Sequence, residues 1–339
     1  MLRGNSLLIG LILGILAATL LLLSVLTQRA HEANDGHDFR AESLPVALGP
    51  SRQQVAAVVG VQTGFSRPDA TTQYNYDLRR QALRSTWFPA SQQALDRYFQ
   101  DTGLVLRFVI GHSNSQEQER ALDAEAAEFG GFLRLSLQEG YSSLTDKTLE
   151  FLRTASRQYD ARYIVKVDDD VFLRVDRLPH AFRQWDEIHA DYIGCMKTGQ
   201  IMKDARYRWH EPQHEVLGSA TYFTHTWGSF YILSGRIAGV LATIQPGTLR
   251  YFANEDVTVG SWMLALNSTH MDDRRMCMPH CTPASIGVFD MPQCAGLCNP
   301  VESMPKLYTS PDCSDPAVHA GTPELPRIAP IFKFQRQKW

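Results

Sequence analysis

Apolar and polar positions follow two different periods along this chain. Gln54–Thr63 (QVAAVVGVQT) is a short, β-branched apolar run, and it predicts a strand. Leu104–Ile110, Phe132–Leu137 and Tyr163–Val167 predict three more. Between them the period lengthens. Leu78–Trp87 and Ser115–Phe129 are rich in good helix formers. Thr145–Tyr159 places Leu149, Leu152 and Ala155 at helical spacing, with Thr145 positioned to cap its start. Strands alternating with helices predict an α/β fold with a largely parallel sheet, whose ligands sit beyond the carboxyl ends of the strands. No internal repeat or low-complexity tract is present.

One run follows neither period. Leu7–Leu26 is a 20-residue stretch without a charge. As a helix it would span about 30 Å, the thickness of the bilayer hydrocarbon. A cleaved signal peptide is the competing reading, but its apolar region is usually about 7–15 residues with small residues at the cut. This run is longer and lacks an A-x-A site, so it predicts an uncleaved signal-anchor. Residues 1–6 then form a cytoplasmic tail and residues 27–51, with Pro45, Gly49 and Pro50, a stem. Residues 52–313 form a luminal body and 314–339 an irregular, proline-containing tail.

Composition adds less than placement. The 33 Lys and Arg nearly balance the 36 Asp and Glu, which excludes a polybasic nucleic-acid coat and an acidic disordered tail as the dominant character. With 44% hydrophobic and 20% charged residues the chain reads as globular. Five of the six cysteines fall between Cys277 and Cys313. In an oxidising lumen they predict disulfides, because C-x3-C is not the common zinc spacing. Their connectivity stays open, and Cys195 either joins the cluster or remains buried. Asn267-Ser268-Thr269 is a glycosylation sequon usable on the luminal side.

The candidate chemistry is acidic. The strand at Tyr163–Val167 runs straight into Asp168-Asp169-Asp170. Adjacent carboxylates at a strand end repel and resist desolvation, and a divalent cation relieves both. Side chains alternate along a strand, so Asp168 and Asp170 share a face, and their oxygens suit a hard ion such as Mg²⁺ or Mn²⁺. A phosphohydrolase would place its aspartates after the first strand and before a small-residue turn. Here they follow the fourth and precede Val-Phe-Leu. Arg80 and Arg84 share a helical face suited to phosphate or carboxylate. Asn254-Glu255-Asp256 opens an apolar stretch, where acidic residues favour a helix start but also offer a general base.

Together these segments resemble glycosyltransferase family 31, the β-1,3-galactosyltransferases and β-1,3-N-acetylglucosaminyltransferases. The likeness rests on RRQALRSTW, FVIG, YSSLTDKTL, KVDDDVFL and NEDVTVG, in order. VGVQTGFS, WHEP, YFTHTWGSFYILS and FDMPQCAGLCNP resemble the plant-type members. The resemblance implies a GT-A fold, a type II Golgi membrane protein, a UDP-sugar donor and Mn²⁺-dependent inverting transfer to a glycan hydroxyl. It implies Asp168 and Asp170 as metal ligands, Asp169 near the ribose, and Arg80 and Arg84 near the nucleotide. It also implies Gln62 and Thr63 on the uridine side, Lys147 in the family's Lys-Thr pair, and Asp256 beside Glu255 as the catalytic base. Trp227, Gly228 and Tyr231 fall where the family shapes the sugar site. UDP-galactose is the favoured donor and a glycoprotein glycan the acceptor, with UDP-GlcNAc the second donor. A membrane-anchored carbohydrate-binding protein on a degenerate transferase fold is the non-enzyme alternative. No histidine matches a metal ligand of the family; His270 and His280 are candidates for a third ligand, with a core or solvent-exposed role the stronger reading of each.

Overall fold

The four strands expected from the sequence lie side by side at one half of a seven-stranded sheet. They are β1 (Gln53–Gln62), β2 (Leu104–His112), β3 (Phe132–Gln138) and β4 (Tyr159–Asp168), all parallel, in the order β3-β2-β1-β4. The computed structural model describes residues 52–314, except 68, 141, 142 and 208. The expected cytoplasmic tail, anchor at Leu7–Leu26, stem and C-terminal tail lie outside the described residues. Among those described, no helix is long and apolar enough to cross a membrane.

The second half of the sheet was not foreseen. After the two-residue β5 (Phe172–Leu173) come β6 (Tyr192–Lys197), β7 (His225–Ser234) and β8 (His270–Asp272), which extend the order as β4-β7-β6-β8. β7 is antiparallel to both of its neighbours, while β6 and β8 are parallel to each other. Six strands therefore point one way and β7 alone points back. β5 pairs with β9 (Gly287–Val288) outside the main sheet.

Helices cover both faces, which is why the central strands read as near-continuous apolar runs. The helices of eight or more residues are α1 (Tyr76–Arg84), α2 (Gln92–Thr102), α3 (Gln116–Phe129), α4 (Leu144–Gln158), α5 (Leu178–Glu187), α6 (Gly235–Thr243), α7 (Glu255–Ala265) and α8 (Pro300–Thr309). On one face Ala57, Val59, Val61 and Val165 pack with Leu83, Phe182 and Trp185. On the other, Val55, Val58 and Ile164 pack with Phe151 and Leu152 of α4 and with Val259 and Trp262 of α7. Asn75, Ser91, Ser115 and Ser234 cap α1, α2, α3 and α6 through their side chains. Thr145 does not cap α4. That helix starts a residue earlier, at Leu144, so Thr145 turns inward and is buried. Trp87 ends in the core as expected, beyond the end of α1.

All six cysteines are paired. Cys195–Cys277 ties β6 to the segment after β8, and Cys281–Cys313 ties that segment to the far end of the described chain. Cys294–Cys298 closes a small loop. Removing a long-range bridge of this kind typically costs about 2–5 kcal/mol.

Gly60 lets α4 sit directly on β1. A Cβ added there would lie 2.2 Å from the Phe151 ring, which is fully buried. We expect Gly60→Ala to lose roughly 1–3 kcal/mol of stability through overpacking, read by chemical denaturation. A variant as stable as wild type would mean that the helix is not held this close.

Candidate active site at the strand ends

Gln62, the last residue of β1, pairs with Asp168, the last of β4. The Asp169 amide donates to the Gln62 carbonyl at 3.1 Å. The three aspartates thus leave the sheet at the carboxyl ends of its central strands. Lys166 precedes Asp168 by two residues and shares its face of β4. Its Nζ lies 2.5 Å from Asp168 Oδ1 and also donates to the Gly228 carbonyl on β7. Burial by itself would lower the Lys166 ammonium, but Asp168 and then Glu255 outweigh it and raise the pKa.

Asp169 turns the other way. Its Oδ1 accepts from Arg79 Nη1 at 2.6 Å, and the same nitrogen lies 3.3 Å from Asp170 Oδ2. Three carboxylates therefore face two cations. Desolvation raises Asp168. It also pushes Asp170 up to about 7; Arg79 pulls back, and the two neighbouring aspartates push further. Asp169 Oδ2, Asp170 Oδ1 and Gln62 Oε1 are buried without a hydrogen-bond partner.

Arg80 and Arg84 do share a face of α1, and that face meets Glu125 of α3. Arg80 Nη2 lies 2.7 Å from Glu125 Oε2, and Arg84 Nη1 lies 2.5 Å from Oε1. Arg80 also donates to the Gly64 carbonyl at 2.9 Å and to Thr63 Oγ1 at 3.3 Å, so it braces the chain just after β1. Arg84 is wedged against Phe108 and Phe129, with its guanidinium 4.9 and 4.6 Å from the ring centroids. Arg79, one position round the helix, is the arginine that reaches the aspartates. Lys147 also serves the end of β1. It is buried, donates to the Thr63 carbonyl and pairs with Glu139 at 2.7 Å. Burial lowers its ammonium against the pull of Glu139.

The second acidic pair opens α7 and its members diverge. Glu255 Oε1 accepts from Thr148 Oγ1 at 2.7 Å and from the Tyr231 hydroxyl at 2.6 Å, and burial raises its pKa. Asp256 faces outward from that pocket. Its Oδ2 lies 2.8 Å from Lys197 Nζ at the end of β6 and 3.9 Å from His225 Nε2. Lys197 also sits 4.1 Å from the Trp227 ring centroid, a cation–π contact. His225 Nδ1 is 2.8 Å from the Phe223 carbonyl, which only accepts, so Nδ1 carries a proton, and burial lowers the pKa of the ring. A Cβ built at Gly228 would lie 3.4 Å from that of Asp256. Lys166 on Gly228 and Gly228 against Asp256 thus connect the two acidic clusters.

His270 is not part of this edge. It pairs with Tyr192 at the opposite end of β6 from Lys197, and its Nδ1 lies 3.0 Å from the Ser268 carbonyl. His280 is exposed beside Cys281. Among the described residues no group of three or more His, Cys, Asp or Glu side chains is placed to hold a metal ion by itself. Asn267 is exposed in a left-handed turn, φ 49°, between α7 and β8, at the far end of α7 from Asp256. Arg79, Lys166, Lys197 and His225 were not singled out from the sequence. Lys166 had a readable signal, a lysine inside an apolar strand two residues before an aspartate.

The galactosyltransferase family model matches residues 78–274, from α1 to just beyond β8. Probable beta-1,3-galactosyltransferase 12 of Arabidopsis thaliana is 43% identical over 264 residues, covering 78% of this chain and 68% of that one. Probable beta-1,3-galactosyltransferase 13 of Arabidopsis thaliana is 40% identical, covering 78% of this chain and 74% of that one. The solved structure of S. aureus TarS 1–349 overlaps 61% of this chain and 55% of that one at a TM-score of 0.31 and 13% identity, a likeness too slight to bear on the chemistry. A matched domain over more than half of the chain, with identity of this degree across most of both chains, places the chain in the galactosyltransferase family, glycosyltransferase family 31, a family of hexosyltransferases.

Proposed function

We propose that this chain is an inverting glycosyltransferase of GT-A type that moves galactose from UDP-galactose, with Mn²⁺, to the 3-hydroxyl of a glycoprotein glycan in β-1,3 linkage. In the same reading the body lies in the Golgi lumen behind a type II anchor at Leu7–Leu26. One observation carries the catalytic part. A carboxylate cluster short of cations stands on the same sheet edge as a separate carboxylate, Asp256, that is not consumed by internal hydroxyls.

Buried oxygens without partners at the strand end support a divalent cation in this reading. Asp169 Oδ2, Asp170 Oδ1 and Gln62 Oε1 are buried oxygens without a partner, and oxygen ligands suit Mn²⁺ or Mg²⁺. Asp168 and Asp170 would hold the ion, which when bound supplies positive charge to the diphosphate leaving group. Asp169, fixed by Arg79, lies next to them for the ribose. Gln62 and Thr63 end β1 on the uridine side, where Arg80 and Lys147 hold the backbone of Thr63 and Gly64 in place. Trp227 and Gly228 lie between the donor edge and the base, and Tyr231 holds Glu255.

Asp256 serves as the general base. It removes the proton of the acceptor 3-hydroxyl while that oxygen attacks the anomeric carbon from the face opposite UDP. The new C–O bond forms as the bond to the diphosphate breaks, and the electron pair leaves with UDP, so an α-linked donor yields a β product. Glu255 is a poor substitute, because two hydroxyls already occupy one of its oxygens and burial favours its protonated form.

Asp256→Asn should lower transfer at least about 100-fold while UDP binding in Mn²⁺ stays within about twofold of wild type. Turnover near wild type would remove Asp256 from the base role. A panel of UDP-galactose and UDP-GlcNAc with glycan acceptors reads the donor in the same assay, and a preference for UDP-GlcNAc would replace the galactose assignment.

Asp170 adds a pH dependence. Its carboxyl ionises at an ordinary 3.8 when unfolded and at about 7 when folded, so folding takes up a proton between those values. The stability it contributes is complete below the lower value and is lost as the pH rises through the upper one. Metal-free wild type should therefore lose stability relative to Asp170→Asn between about pH 4 and pH 7. A constant difference across that range would contradict the crowding of carboxylates at the strand end.

A further inference from the structure

We infer that the disulfide-closed loop Cys294–Cys298 is a positioning element for Asp170, and that Gly296 is the residue through which it acts. The inference rests on the proposed donor site and goes beyond it, since the strand motif accounts for the aspartates but not for what aims them.

The loop follows Asp170 in the chain by well over a hundred residues, yet it lies directly on it. Leu297 N donates to the Asp170 carbonyl at 2.7 Å. A Cβ built at Gly296 would stand 2.1 Å from Asp170 Oδ1 and 2.2 Å from its Cγ. Gly296 is not among the glycines with a left-handed φ, so the glycine is required by proximity and not by backbone conformation. Its bare backbone forms a wall against one side of the carboxylate. That wall gives Oδ1 no hydrogen bond, and the oxygen remains without a partner. Asp170 is thus held by the close approach of Gly296 to its carboxylate and by the bond from Leu297 N to its backbone carbonyl.

The loop is itself anchored from several directions. Cys294 N donates to the Asp290 carbonyl at 3.0 Å, Asp290 N to the Gly296 carbonyl at 3.1 Å, and Cys298 N to Asp290 Oδ2 at 2.8 Å. Ser229 of β7 donates to the Ala295 carbonyl. Leu297 is buried in the core on the α5 side of the sheet. The disulfide closes the loop across four residues, and the chain then enters α8, which packs on α1, the helix that carries Arg79. Asp170 is therefore held between the disulfide loop on one side and Arg79 on the other. A side chain at position 296 must lift the loop or swing the carboxylate. Opening the disulfide releases the same contact without adding an atom.

The test compares Gly296→Ala and the double variant Cys294→Ser/Cys298→Ser with wild type, each as the full chain. UDP affinity is measured by calorimetry with and without Mn²⁺, and KM for donor and acceptor is measured separately. We expect Mn²⁺-dependent UDP affinity to fall roughly tenfold or more in both variants, as for other residues that orient a metal ligand. UDP affinity without metal and acceptor KM should stay within about twofold of wild type. If either variant folds with an unaltered melting temperature and binds UDP with Mn²⁺ as wild type does, the inference is overturned. An equal loss for donor and acceptor would also overturn it, because general damage to the fold gives that pattern. If Gly296→Ala fails to fold, the cysteine pair decides alone. Binding is read without transfer, so a wrong donor sugar or acceptor leaves this result standing. A wild type that binds UDP no better with Mn²⁺ would overturn the proposed metal role itself and the inference with it.

Discussion

Where β4 leaves the sheet, three consecutive carboxylates pair directly, among the described residues, with Lys166 and Arg79, and the rest of the site is organised around that imbalance. Removing a carboxylate from water is costly unless it is paired, and here the pairing is incomplete. Desolvation pushes Asp170 up to about 7, and oxygens of Asp169, Asp170 and Gln62 stay buried without partners. A structural turn would have relieved such strain by exposing the side chains. Instead α1 supplies Arg79 from one side, β4 supplies Lys166 from beneath, and the loop at Gly296 closes a third side.

The sheet explains why the second acidic centre is so near. Its strands point their carboxyl ends toward this edge, and β7, running backward, brings its first residues there instead. Phe230 consequently pairs with Val167, Lys166 reaches the Gly228 carbonyl, and His225 pairs across to Lys197 at the end of β6. The start of α7 delivers Asp256 against Gly228 and Lys197, while Glu255 turns back to Tyr231 and Thr148. Lys166 senses both centres through Asp168 and Glu255. The aspartate cluster and Asp256 are then linked through Lys166 and Gly228.

Much of this could be read from the residues alone, and what escaped has physical reasons. The parallel half of the sheet was legible because its strands are buried on both faces. The triple aspartate and the acidic start of α7 were legible because charges at the ends of apolar runs need explaining. Spacing of four on a helix pointed to Arg80 and Arg84, and they do act together, on Glu125. The partner of the aspartates is instead Arg79, since the angle at which α1 meets the sheet is a tertiary property. β6, β7 and β8 lack the regular alternation with helices that marked the first half. The disulfide pairing and the contact of Gly296 with Asp170 depend on which loops meet in space, and local pattern does not encode that.

We propose that the charge imbalance at the strand end is the place of a divalent cation. Manganese anomalous diffraction from crystals grown with Mn²⁺ and UDP addresses it directly. A cation bound there gives the main anomalous peak within bonding distance of Asp168 and Asp170, with density for the diphosphate beside it. A peak at another cluster, or UDP bound at the strand ends with no anomalous signal there, would contradict it.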